Sequence, residues 1–363
     1  MEEARDIVKL ALPFTAGALS ISCLSLETHY TYHVASLSLI LLSLMIAAML
    51  MQHEAGKQIK VIEIIVTGYI AGLFIYANAG LCQFTDGGGT AFAESAAGAG
   101  RAMQESIDSI AFRSGNTNAV IKALLTGNRR DIPAETVEAF RSSGASHILA
   151  LSGLHLGIIY LIVSRIAQLA GGHPKAVLLR SIFCIAICTL YSFATGAGAS
   201  IIRALIFVII GEVTRLLHRK PDIRTTLASS LVIHLTLTPS DISETGFQLS
   251  YAAIAGIAWI YPKLKALWPE GAEPIMRRIW NSAALSISCQ LTTGPIAWFY
   301  FGTFPQYFIL TNLIAIPMAT MIIPAALLTT SLNAMGICPS LLIRATEMLV
   351  DALCRALSII AAM

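Results

Sequence analysis

Apolar runs long enough to cross a bilayer recur along the chain. Residues 7–26, 34–51 and 59–81 open it, separated by the polar stretches ETHYTYH and QHEAGKQ. After one long polar interval, further runs follow at 147–169, 176–195, 201–217, 225–238, 246–261, 279–301 and 306–332. A helix needs ~20 apolar residues to span the hydrocarbon layer. The pattern therefore predicts an all-α polytopic membrane protein with about ten transmembrane helices. Some of these are expected to be short or broken. The run over 225–238 is only ~21 Å long at a rise of ~1.5 Å per residue, and Gly294-Pro295, Pro317 and Pro324 are expected to interrupt their helices. Past 340 the period changes: Arg344, Glu347, Asp351 and Arg355 fall within an arc of ~80°. That tail predicts an amphipathic C-terminal helix lying on the membrane surface or covering the bundle.

The polar interval, 83–146, begins with the Gly87 to Gly89 run and continues in Ala/Gly/Ser-rich sequence suited to short amphipathic helices. No Lys-Ser/Thr follows the glycines, which makes them a hinge rather than a phosphate loop. NRRDIP reads as a turn, with Pro133 at the first position of a short helix over 134–143. Six basic residues (Arg101, Arg113, Lys122, Arg129, Arg130, Arg141) stand against seven acidic ones (Asp86, Glu94, Glu105, Asp108, Asp131, Glu135, Glu138), so the interval is no basic patch. The expected organisation is three helices over 1–82, an extracytoplasmic segment over 83–146, a transmembrane core over 147–335 and the amphipathic tail over 336–363.

Composition narrows the class. With 56% hydrophobic and 12% charged residues and a mean hydropathy of +0.72, against ~25% charged in soluble domains, a water-soluble globule is excluded. Alternate loops carry Lys57 and Lys60, then Arg165, Lys175 and Arg180, then Arg215, Arg219, Lys220 and Arg224, then Lys263, Lys265, Arg277 and Arg278; the short loops between them carry no Lys or Arg. This alternation predicts a multi-pass inner-membrane protein with both termini cytoplasmic. The N-terminal MEEARDIVK is too acidic for a signal peptide, and the first run is expected to be a retained helix. Seven cysteines lack framework spacing and are expected to be packing residues. His29 and His33, four apart beside Glu27, have a metal-like spacing but no third convincing ligand, which favours an interfacial belt. Neither a metal nor a cofactor is expected.

The candidate chemistry centres on GASHILALSGLHLG, residues 144–157. On one continuous helix, His147 and His155 would form a polar stripe with Ser152, while Gly153 and Gly157 would admit a neighbouring backbone. As packing glue, Ser152 bonds its own helix and His155 a neighbour. As chemistry, Ser152 would be a nucleophile, His155 its base and Glu244 the group orienting the imidazole. Against the hydrolase, no second glycine-rich oxyanion element is present, and Ser-Gly-Leu-His is no nucleophile elbow. Arg203, Glu244, Gln248 and Asn312 are expected near the outer half of the membrane with them. A buried Arg203 must be paired or solvated, and Glu244 is its natural partner; a purely structural ion pair is the competing role.

The run GNRRDIPAETVEAFRSSGASHILALSGLHLG resembles the signature of the ComEC-type competence proteins. Three further blocks agree in order: GAGASIIRALIF, LTPSDISETGFQLSYAAIAG and FGTFPQYFILTNLIAIP. The resemblance covers roughly 123–323 and singles out Ser152, Gly153, His155, Ser200, Arg203, Phe247, Gln248, Ser250, Asn312 and Pro317. It implies a membrane channel importing single-stranded DNA during natural transformation, with Arg203 facing phosphates and His155 and Gln248 lining the path. Family members usually add an OB-like outer domain and a metallo-β-lactamase-like domain. This sequence has no His-x-His-x-Asp-His zinc motif, and Ala199 stands where the family commonly has proline. The implied partners are the transported strand, membrane lipid, separately encoded DNA-binding, nuclease or ATPase proteins, and further copies of the chain. A structural core dependent on soluble partners, or one that has lost transport, is the remaining reading.

Overall fold

The computed structural model describes residues 2–24, 38, 66–73, 75, 91–170, 174–220, 222–268, 274–302 and 304–363. The helix expected over 34–51 (apart from residue 38), much of that over 59–81, the Glu27/His29/His33 loop and the Gly87 to Gly89 hinge lie outside them. Among the described residues every regular element is helical. In chain order these are α1 (Glu2–Leu24), α2 (Ala91–Asp108), α3 (Gly115–Thr126), α4 (Ala134–Ser142), α5 (Ser146–Leu149), α6 (Gly153–Ala167) and α7 (Pro174–Ala194). They continue as α8 (Ala199–Leu216), α9 (Ile223–Leu237), α10 (Thr245–Trp259), α11 (Tyr261–Ala266), α12 (Pro274–Phe301), α13 (Phe308–Ala334) and α14 (Ser340–Ala361). Two compact units result, one formed by Met1–Gly89 with Ile209–Tyr251, the other by Thr90–Val208 with Ala252–Met363.

In the second unit the core is built around α3. Val120, Ile121, Ala123, Leu124 and Leu125 are all fully buried, so this helix is covered on every side. Lys122, in the middle of that run, is buried too, and its ammonium bridges Asp108 and Asp131, each at 2.7 Å. The N-cap residue Ser114 makes no side-chain cap. Instead Glu347 of α14 accepts the backbone N–H groups of Arg113 and Ser114 at 2.8 and 3.1 Å. At the other end Gly127 takes φ 76°, and a Cβ there would lie 2.5 Å from the Leu151 side chain, so only glycine closes this helix without strain.

The segment 91–146 shares one core with α13 and α14. Ile107, Phe140 and Ile148 join Ala315, Ala319, Ile322, Val350, Leu353 and Leu357 in a single buried cluster. Ser106 donates to the Thr330 carbonyl at 3.4 Å and Asn333 to the Ser109 hydroxyl at 2.8 Å, near the end of α13. Near its start, Thr311 donates to the Ser143 carbonyl at 2.6 Å. The segment therefore follows α13 along its length, and 146 is not a packing boundary.

Helix α14 folds back along α13, with the hydroxyls of Thr329 and Thr346 2.9 Å apart, and so covers the bundle. Its polar arc is not uniform as expected. Arg344 and Arg355 are exposed, while Glu347 is buried as the cap of α3. The expected proline breaks are also absent. Helix α12 runs through Pro295, and α13 through Pro317 and Pro324. Proline's fixed φ suits a helix, and each proline forfeits one backbone bond. By length and composition, Ala176–Ala194 and Phe308–Ala334 are the two candidate membrane spans among the described residues.

In the first unit, α1 packs on α9 and on the helical stretch 66–73. Gly17 lies against the backbone of Tyr69, and Gly72 against that of Phe14. Two glycines facing each other's helix permit this close approach.

Candidate functional site

The expected continuous helix from 147 to 169 is interrupted at Ala150, Leu151 and Ser152. Ser152 adopts an extended backbone (φ −132°, ψ 173°) and becomes the N-cap of α6. Its hydroxyl accepts the Leu154 N–H at 3.3 Å, while the Ser152 N–H donates to Nδ1 of His155 at 3.2 Å. This is a capping box with histidine in the place usually held by Glu or Gln. The cap is the physical reason the helix restarts here, and it places the two histidines on different helices. His147 is exposed, with Nδ1 3.1 Å from the Gly144 carbonyl.

His155 is 1% exposed. Because Nδ1 accepts a backbone N–H, it carries the lone pair and the ring proton belongs on Nε2. Nε2 is buried with no hydrogen-bond partner. The Ser152 hydroxyl also lies 3.1 Å from Nδ1, a distance suited to nucleophile and base. Yet the Ser152 N–H occupies the same lone pair, and no carboxylate holds Nε2 as a serine triad requires.

Arg203 meets this helix start. A Cβ on Gly153 would stand 3.2 Å from a terminal guanidinium nitrogen of Arg203 and 3.6 Å from Ala204. The guanidinium thus lies alongside the N-terminus of α6. Arg203 is 6% exposed, and Ser200, half-buried, lies three residues earlier on α8. The turn entering α8 holds Gly196 at φ 91° and Ala197 at φ 49°. On α13, the Asn312 side-chain oxygen is buried without a partner, and Pro317 is exposed one turn further on. Ser152, Gly153, His155, Ser200, Arg203, Asn312 and Pro317 thus all belong to the second unit.

Glu244, Phe247, Gln248 and Ser250 belong to the first unit, so the expected Arg203 and Glu244 partners fall in different units. Glu244 is exposed. Phe247 is buried edge-on against His234, with centroids 5.1 Å apart. Gln248 donates to the Ile242 carbonyl at 3.0 Å, and Ser250 is half-buried. The centre of this group is His234, which sequence reasoning passed over. It is fully buried, with Nε2 3.0 Å from the Asp241 carboxylate and Nδ1 3.3 Å from the Tyr251 hydroxyl. Tyr251 in turn donates to the Ser230 carbonyl at 3.0 Å. A histidine in an apolar helix with an aspartate just beyond the helix end was the available signal. No group of three or more metal-ligating side chains occurs among the described residues.

Comparison with known proteins covers most of these elements. A family model described as "Competence protein" matches residues 124–363. ComE operon protein 3 of Bacillus subtilis is 26% identical over 217 residues, covering 58% of this chain and 26% of the relative. The uncharacterized protein YcaI of Escherichia coli is 26% identical over 213 residues, covering 56% of this chain and 28% of the relative. An uncharacterized protein of Aquifex aeolicus is 43% identical over 49 residues, or 13% of this chain and 12% of the relative. The chain thus spans about a quarter of the length of the two longer-matching curated relatives, at 26% and 28%. No solved structure matches.

Proposed function

From the chain's membership of the competence protein family, established by a match over 124–363, we propose that it forms an inner-membrane path for single-stranded DNA during natural transformation. The observation that carries this reading is the meeting of three family-motif residues at one helix start. Gly153 admits the Arg203 guanidinium within 3.2 Å of its Cβ position, two residues from buried His155. A buried guanidinium beside a helix N-terminus offers positive charge to passing phosphates. The setting agrees with a membrane. Residues 279–343 contain no Asp, Glu, Lys, Arg or His, and the exposed Trp298, Phe299, Tyr300 and Phe301 resemble an interfacial aromatic girdle. Further apolar helices complete a multi-pass core, with the Lys/Arg-bearing loops on the cytoplasmic side.

In the first unit, Phe247 and Tyr251 pack around His234. Substitution of Arg203 tests the reading. Arg203→Lys keeps the charge and is expected to retain partial DNA uptake, while Arg203→Gln is expected to abolish it with the protein still inserted. Equal loss in both variants assigns Arg203 to structure alone.

A further inference from the structure

We propose that His155 is a subsite for an anionic oxygen of the strand, its Nδ1 fixing the cap of α6 while its Nε2–H donates to a phosphodiester oxygen. The inference rests on the strand-import reading and adds a specific atom and contact to it. Two halves of one ring do different work. Nδ1 accepts the Ser152 N–H at 3.2 Å, which locks the ring over the helix N-terminus and fixes the proton on Nε2. That leaves Nε2–H a donor in a residue 1% exposed, with no hydrogen-bond partner. Buried donors are almost always bonded, and one left unbonded is destabilising until an acceptor arrives. The surroundings select a negative one. The positive end of the α6 dipole and the Arg203 guanidinium beside Gly153 carry the same sign as the donor.

A pair of substitutions separates this role from capping. Glutamate at the same position makes the usual capping box but replaces the donor with a carboxylate oxygen. Glutamine caps through its carbonyl and keeps an N–H donor in place of Nε2–H. The experiment measures binding of a fluorescent oligothymidylate, and of its uncharged methylphosphonate analogue, to the intact chain in nanodiscs, with thermal unfolding as the control for folding. Expected are binding of the charged strand only, near wild-type affinity for His155→Gln, and a loss of about tenfold or more for His155→Glu at unchanged melting temperature. Equal affinity in His155→Glu and wild type overturns the subsite and leaves a cap. So does an equal loss in both variants, or equal binding of the methylphosphonate strand. A wild-type chain that binds neither strand overturns the import reading itself, and the subsite with it.

Discussion

Ser152 and the Nδ1 of His155 are engaged with each other, and this bears on two chemistries. A nucleophilic serine needs a base whose lone pair is free and whose far nitrogen is held; here the Ser152 N–H shares Nδ1 and Nε2 is unbonded. The account therefore predicts that a serine-reactive probe leaves Ser152 unlabelled, as read by mass spectrometry. It also predicts that Ser152→Ala lowers stability by about 1 kcal/mol, the usual value of a lost N-cap. Labelling of Ser152 in the wild type would contradict both the cap and the channel. The identities of these residues were legible in the sequence, but their geometry was not. Ser-Gly-Leu-His lacks the Glu or Gln that marks a capping box, so the run read as mid-helix. His234 and Asp241 were missed for a related reason: their 3.0 Å contact spans a helix end and a following turn, where periodicity along one helix says nothing.

At the scale of elements, α3 shows what hydropathy windows average away. Residues 119–125 are apolar apart from Lys122, but the helix has only 12 residues and sits in polar sequence, so its hydropathy marks neither a span nor core. The Lys122 bridge to Asp108 and Asp131 joins α3 to α2 and to the turn before α4. Burial alone would lower the Lys122 pKa; the hydrogen bonds and charges of the two aspartates outweigh it and raise the pKa above 10.5. A lysine with a raised folded-state value contributes stability fully present below its unfolded pKa of ~10.4 and lost as pH rises through the folded one. Thermal unfolding against pH should thus show this contribution constant from neutral pH to about 10, then falling. Lys122→Met should cost about 1–3 kcal/mol at neutral pH, since its two carboxylate partners are half-exposed, and should remove the alkaline decline. An unchanged decline would place its origin elsewhere. The prolines teach the converse lesson. Pro295, Pro317 and Pro324 carry the sequence signature of breaks, yet α12 and α13 run through them at the loss of one backbone bond each.

For the whole molecule, the helical class was legible from the alternation of apolar runs and short loops, because that signal repeats along the chain. The way the segments share a core was not. Residues from 106 to 143 bond to α13 near both of its ends. The contacts that join them are separated by more than 160 residues in sequence, beyond any local pattern. The return of α14 along α13 was likewise invisible to a count of loop charges. The four motif blocks divide between the two units, with the Ser152, Arg203 and Asn312 elements in one and the Gln248 element in the other. The central claim is that this assembly passes DNA into the cell. Its most direct test is entry of labelled DNA into the cytosol of the source bacterium, comparing the intact strain, a clean deletion, and the deletion restored with the wild-type gene. The account predicts loss of cytosolic label on deletion and recovery on restoration. Undiminished uptake by the deletion, in a strain shown to transform, would contradict it.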